Sequence, residues 1–276
     1  MTRHDFRQVD VFANGAFTGN PLAVVHDADD VSTEMMQTVT RWTNLSEAAF
    51  LLQPTQSSAD YRVRIFEPKA ELPFAGHPTL GACAAWLDAG GTTQQPGVVV
   101  QECAAGLIQI RLTDDGGLAF AAPPMTRHEP VMPPDLDRAM HLLGLSGDDV
   151  LDSHWIDNGP GWMGLLLVDA NRVLDITIPT ETADQFDVGV AGLSPHGSDA
   201  DIEVRAFFND PNGSIREDPV TGSLNASIGQ WLLGAGRLTA PYIARQTSGL
   251  VKVDKADGQV WVGGETVVRV SGSVEL

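Results

Sequence analysis

The sequence predicts an α+β fold made twice: two halves, each a strongly curved, barrel-like β-sheet wrapped around a central buried helix. Three observations carry that prediction. The stretch FAGHPTLGACAAW at 74–86 runs from a sharp loop into a helix of small, apolar residues, and a helix so poor in polar side chains is surrounded by protein on all sides. A second such stretch, DPVTGSLNASIGQWL at 218–232, recurs in the other half. The remainder of each half reads as a succession of short strands.

The two stretches behave as an internal repeat. Trp86-Leu87 and Trp231-Leu232 stand 145 residues apart, Val63-Arg64 with Phe66 matches Val204-Arg205 with Phe207 at 141, and Asn14-Gly15 with Val24 matches Asn158-Gly159 with Val168 at 144. Three matches in one order at nearly one offset mark a duplication. Prolines at 123–124 and 130–134 mark the linker. They divide the chain into 1–122, with a last strand at 265–276 open to inclusion, and 123–264.

The first half begins with strands at 6–12 and 21–25 around a Gly-rich turn at 13–20. Met35, Met36, Val39 and Trp42 then recur at helical spacing behind a Ser32 or Thr33 cap, which predicts an amphipathic surface helix over 32–43. In TNLSEAAFLL (43–52), Glu47 stands between Leu45 and a wholly apolar run. A carboxylate held against such neighbours has its pKa raised and suits proton exchange near neutral pH. The alternative reading, an outward-pointing residue at a strand edge, stays open on these residues alone. A strand at 60–67, a loop at 68–77, the buried helix at 78–89 and strands at 97–103, 106–112 and 117–122 complete the half.

Gly76 and His77 precede Pro78, which suits a first helical turn because its φ is preset and its missing N–H has no partner there. The helix start therefore opens inside the protein as a ready anion site. The second half repeats the order: a helix near 135–143, strands at 151–157, 164–170, 173–178 and 201–208, the buried helix at 219–233 with Asp218 as N-cap and Pro219 in its first turn, and closing strands at 241–245, 249–254, 259–262 and 265–270.

Composition narrows the function. The chain has 276 residues, 43% of them hydrophobic, and a formal charge of −19. Such a field repels nucleic acid and acidic membranes, so neither is an expected partner. No apolar leader opens the sequence and no run is long enough to span a bilayer, which predicts a cytoplasmic protein. The two cysteines, Cys83 and Cys103, fall in helix and strand patterns and are expected to pack rather than bridge.

Several motifs fail. GPGWMG at 159–164 matches G-x-G-x-x-G but runs into a strand instead of opening a helix, and so predicts a β-turn. No H-E-x-x-H, zinc-type cysteine spacing, P-loop or nucleophile elbow occurs, so no metal and no cofactor is expected.

Three stretches together carry a resemblance: NLSEAAF (44–50), ELPFAGHPTLG (71–81) and EDPVTGS (217–223). The chain resembles the PhzF family of phenazine-biosynthesis-type isomerases, which is related to the diaminopimelate epimerases, and the length and duplication agree from end to end. The resemblance implies two helix N-termini facing one another across a cleft that holds the active site. It assigns Glu47 as the proton-transferring acid/base, His77, Asp218 and Ser223 around the substrate, and Ser46, Gly76 and Gly222 as pocket lining. It also implies a homodimer and a small-molecule substrate bearing a carboxylate.

In the epimerases two cysteines at these helix starts act as a two-base pair. The matching stretches here contain none. That favours a one-face proton shift by Glu47 within a small unsaturated cyclic amino acid, as in trans-2,3-dihydro-3-hydroxyanthranilate isomerisation or a related antibiotic-pathway step. The alternatives are a non-catalytic small-molecule-binding or oligomer-forming member, or an amino-acid epimerase. One departure stands out: the family carries Gln-Gly followed shortly by Gly-Arg, where this chain has Gln246-Thr247-Ser248-Gly249, which points to a divergent substrate. Taken from the residues alone, His77 and Asp218 could be helix caps and Ser223 filler; their clustering at both helix starts raises the functional reading. Arg64, Lys69, Arg205 and Arg216 are candidates for further carboxylate contacts.

Overall fold

The computed structural model describes residues 2–113, 116–180, 186–210 and 212–276. The chain divides into two compact units, one of Met1–Ala121 with Gly263–Leu276, the other of Ala122–Val262.

In the first unit the strands are β1 (Arg3–Ala13), β2 (Asn20–Val25), β3 (Ala48–Leu52), β4 (Tyr61–Phe66), β5 (Glu71–Leu72), β6 (Val98–Cys103), β7 (Gly106–Leu112) and β8 (Leu118–Ala121), with helices α1 (Thr33–Thr43) and α2 (Gly76–Asp88). Ser32 caps α1 by accepting from the Met35 N–H, and Asn44 ends it in the left-handed region. That turn delivers the chain into β3, every residue of which is buried. β2 and β3 pair in parallel, with α1 as the crossover, and β4 follows antiparallel. β4 and β6 are again parallel, this time with α2 as the crossover.

In α2 nine of thirteen residues are buried, from Gly76 to Ala85. It packs against β1, β2, β3, β6 and β8. Its small residues are a packing requirement: a Cβ on Gly81 would stand 2.6 Å from Leu22 Cδ2 and 3.0 Å from Val11 Cγ2. Leu80, Leu22 and Val11 are fully buried around it, and an Ala at 81 would overpack that contact.

The second unit repeats this topology. It contains β9 (Arg127–Pro130), α3 (Pro133–Leu143), β10 (Val150–Asp157), β11 (Met163–Leu167), α4 (Ala170–Leu174), β12 (Asp187–Leu193), β13 (Ile202–Asn209), β14 (Ile215–Asp218), α5 (Gly222–Gly234), β15 (Tyr242–Gln246) and β16 (Gly249–Ala256). The last strand, β17 (Gln259–Glu275), starts in this unit and ends in the first, where it pairs with β1 from Arg3↔Glu275 to Ala13↔Glu265. β11 and β12 are parallel, β12 and β13 antiparallel, β13 and β15 parallel, matching the order in the first unit. α5 is as buried as α2, with nine of its thirteen residues enclosed.

The α+β class is as predicted, with two barrel-like sheets, each around a buried helix. Four details differ. Residues 173–178 do not form a strand: Asp169 accepts from the Arg172 N–H and starts α4, so the local cap overrides the apolar alternation. The strand that fills this place in the sheet is β12, DVGVAGL, whose glycines disguise it. A Cβ on Gly189 would run into Leu224 of α5, so the strand can approach the helix only without one. The proline-rich segment holds β9 and the start of α3, because β9 pairs with β10 and a proline fits the first helical turn. Finally, 259–262 and 265–270 belong to one strand.

Pairing registers refine the repeat. Ala23, Ala48 and Phe66 lie in line across β2, β3 and β4, as Met163, Val188 and Phe207 do across β11, β12 and β13. Phe66 and Phe207 are thus true counterparts. Val24 is the counterpart of Gly164 rather than of Val168.

Candidate active site

Glu47 is the last residue before β3, and its side chain retains 19% of its exposure. His77, the second residue of α2, is almost fully enclosed, and its Nε2 lies 3.4 Å from Glu47 Oε2. The helix start supplies the histidine and the strand entry supplies the carboxylate. Burial drives His77 from its usual value down to about 3, so the imidazole is neutral at physiological pH and the pair is not an ion pair there. A neutral imidazole against a carboxyl group offers one N–H donor and one acceptor. That arrangement can pass or steady a proton without placing a second charge beside the carboxyl group.

No side chain caps α2; its N-cap is Ala75. The first N–H groups of a helix have no intrahelical acceptor, and with the positive end of the dipole they favour an anion. Gly76 is buried at the helix start, whereas Ser46 is exposed beside Glu47.

In the second unit the sequence expectation for Asp218 needs correction. The N-cap of α5 is Thr221, not Asp218. Asp218 closes β14 opposite Ala206, and its Oδ2 accepts from Thr221 Oγ1 at 2.5 Å. Pro219 accordingly lies outside the helix. Gly222 is buried and Ser223 half-buried; they stand as the first two residues of α5 just as Gly76 and His77 stand in α2. Ser223 Oγ accepts from Trp162 Nε1 at 3.1 Å, and its carbonyl accepts from Asn158 Nδ2 at 3.0 Å.

Gln246 organises this helix start, a role that the sequence did not reveal. It is 1% exposed. Its Oε1 accepts from the Thr221 N–H and from Asn225 Nδ2, both at 3.0 Å. Its Nε2 donates to the Asp218 carbonyl and to Thr221 Oγ1, again both at 3.0 Å. The first unit keeps a reduced version: Gln101 Nε2 donates to Thr79 Oγ1, and Tyr61 donates its hydroxyl to Gln101 Oε1. Gln101 and Gln246 share the repeat offset of 145, which is the signal that could have found them.

The arginine candidates are engaged within the protein. Arg64 forms a two-pronged pair with Glu71 at 2.7 and 2.6 Å, and Arg205 does the same with Glu217 at 2.8 and 2.7 Å. Arg205 also donates to the carbonyls of Val173 and Ile176. Arg216 pairs with Asp210, and Lys69 is exposed. Glu217 accepts further from Thr247 Oγ1 at 2.5 Å, which fastens the β15–β16 turn to the strand bearing Asp218. Among the described residues no cluster of three His, Cys, Asp or Glu could hold a metal ion, and no helix is long and apolar enough to cross a membrane.

A duplicated sheet-and-helix unit with polar residues at each buried helix start defines a PhzF- and epimerase-like fold. The family described as phenazine biosynthesis-like protein matches residues 9–272, and the chain belongs to that family. Antisense-enhancing sequence 1 of Schizosaccharomyces pombe is 33% identical and covers 99% of both chains. A protein of Pasteurella multocida named an uncharacterized isomerase is 32% identical over 99% of this chain and 95% of its own. The trans-2,3-dihydro-3-hydroxyanthranilate isomerase of Pseudomonas aeruginosa is 51% identical over 82 residues, 30% of this chain and 29% of its own. Among solved structures, a PhzF-family protein of Enterococcus faecalis superposes with a TM-score of 0.79 at 23% identity over all of both chains. A hydroxyproline epimerase of Agrobacterium vitis gives 0.62 at 14%, covering 99% of this chain and 92% of its own; these two show the fold alone.

Proposed function

We propose that this protein is an isomerase that moves a proton within a small unsaturated cyclic amino acid, with Glu47 as the acid/base. The observation that carries the reading is the Glu47 carboxyl group 3.4 Å from a buried, neutral His77 at a buried helix start. Glu47 removes a proton from a carbon acidified by conjugation and returns it farther along the π system on the same face. His77 steadies the carboxyl group and the substrate, with Gly76 before it in α2 and Ser46 before Glu47 lining the site. Asp218, Gly222 and Ser223 bind the remaining polar groups, the substrate carboxylate meeting helix-start N–H donors. Full-length relatives named isomerases and the partial match to the dihydrohydroxyanthranilate enzyme support this reaction class.

The test is proton NMR in deuterated water with trans-2,3-dihydro-3-hydroxyanthranilate and related cyclic amino acids, wild type beside Glu47→Gln. The expected result is deuterium incorporation with a shifted double bond for wild type, and a loss of about 100-fold or more for the variant, the scale of a positioned acid/base. A Glu47→Gln protein of near wild-type rate would refute the assignment. Deuterium entering with inversion and no double-bond shift would identify an epimerase instead.

A further inference from the structure

The GPGWMG segment at 159–164 has no role in the reaction as proposed, and its geometry shows what it holds. β10 ends at Asp157, whose Oδ1 accepts from the N–H groups of Gly159 and Gly161 at 2.7 and 2.9 Å. Both glycines have positive φ, 139° and 79°, which side chains rarely tolerate. The chain then rejoins the sheet as Ile156 N–H donates to the Trp162 carbonyl at 2.9 Å. The turn thereby buries Trp162 to 4% exposure and aims its indole N–H at Ser223 Oγ, while the neighbouring Asn158 holds the Ser223 carbonyl.

An indole N–H can only donate. One lone pair of the Ser223 hydroxyl is therefore taken by Trp162, which leaves its O–H to donate elsewhere. Ser223 also sits in the first turn of α5, where the dipole disfavours a cationic group and favours an anion. The hydroxyl donor and the helix end thus suit the same ligand, an anion.

We propose that Trp162 is a positioning residue that fixes the Ser223 hydroxyl as a donor to the substrate carboxylate, so that the α5 helix start selects acids over their uncharged counterparts. The inference rests on the proposed carboxylate-bearing substrate and specifies which group reads it.

The test compares dissociation constants, by calorimetry, for 3-hydroxyanthranilate and for 2-aminophenol, the same ring without the carboxylate. Wild type, Trp162→Phe, Ser223→Ala and the double variant are measured. Wild type is expected to prefer the acid. Ser223→Ala should bind the acid about 10- to 100-fold more weakly, the scale of one hydrogen bond to a charged group. Trp162→Phe keeps an aromatic ring and removes the donor, and is expected to lose roughly 3- to 10-fold, a fraction of that same bond. The double variant should be no weaker than Ser223→Ala, because Trp162 acts through Ser223, and 2-aminophenol binding should be nearly constant across the series. Unchanged acid binding by Trp162→Phe, equal weakening of both compounds, or additive losses would each overturn the inference. So would a wild type indifferent to the carboxylate, which would remove the proposed substrate class as well. The two readings fail separately. Loss of turnover in Glu47→Gln with normal acid selectivity in Trp162→Phe sinks only the Trp162 inference; the selectivity pattern without any proton exchange sinks only the isomerase reading.

Discussion

Replacing His77 by Gln should flatten part of the acid limb of the stability curve. In the unfolded chain His77 titrates near 6.5, and in the folded protein burial lowers it to about 3. Its folded pKa is depressed, so the unfolded state binds more protons than the native state between those values. Stability is fully present above pH 6.5 and is lost as pH falls toward 3. At about 1.4 kcal/mol per pH unit, wild type should lose about 3 kcal/mol between pH 6.5 and 4 through this residue alone. Glutamine keeps a neutral donor and acceptor of similar reach but does not titrate. Urea unfolding of both proteins at pH 7, 6, 5 and 4 isolates the term, because the carboxylates contribute to both curves and cancel in the difference. Parallel curves would refute the buried neutral imidazole, and with it the reason for treating the Glu47 contact as proton-sharing rather than ionic.

Two further outcomes follow from comparing equivalent positions in the two units. Arg205→Met strips the partner from Glu217, whose side chain is only 10% exposed, and should cost about 3–5 kcal/mol in urea unfolding; Arg64→Met leaves Glu71, 34% exposed, and should cost about 1 kcal/mol or less. Equal losses would show that burial does not set the value of these pairs. Asp187 is the register counterpart of Glu47, since each immediately precedes the residue opposite Phe207 or Phe66; Asp187→Asn should retain most proton-exchange activity, and a loss as large as that of Glu47→Gln would overturn Glu47 as the sole acid/base.

The two central helices were legible because burial on all sides leaves a compositional mark. Gly81, Ala82, Cys83 and Ala85 in α2, and Ala226, Ser227 and Gly229 in α5, are small where the enclosing strands press closest, and no surface helix needs such a run. The surface helix α1 was equally legible from its Ser32 cap and apolar spacing. β12 was not, because Gly189, which lets the strand approach Leu224, and Gly192, which lies against the Asp169 carbonyl, interrupt its apolar alternation. α4 was hidden because five residues with one good cap leave too little periodicity to outvote Val173, Leu174 and Ile176. At the site, the residue types at both helix starts were visible in the motifs, but the partners of Gln246 and Trp162 were not. Their contribution lies in contacts 25 and 61 residues away in sequence, and no local pattern records such a partner.

The duplication explains how one scaffold presents unlike chemistry at equivalent places. Gln101 and Gln246 each brace the central helix of their own unit from equivalent strands, β6 and β15, yet Gln101 meets Thr79 and Tyr61 whereas Gln246 meets Thr221, Asn225 and the Asp218 carbonyl. The parallel strands carry a charge swap as well: Arg62 stands opposite Glu102 in the first unit, and Glu203 opposite Arg245 in the second. Such changes alter the polar fittings while leaving the ladders and the helix packing in place. The second residue of each helix diverged in the same way, to a buried imidazole in α2 and to a hydroxyl held by an indole in α5. A neutral imidazole beside a carboxyl group serves proton transfer, and a hydroxyl with its lone pair occupied serves anion recognition. The two helix starts thus carry unlike groups at equivalent positions, which fits the proposed one-base reaction better than symmetric two-base chemistry.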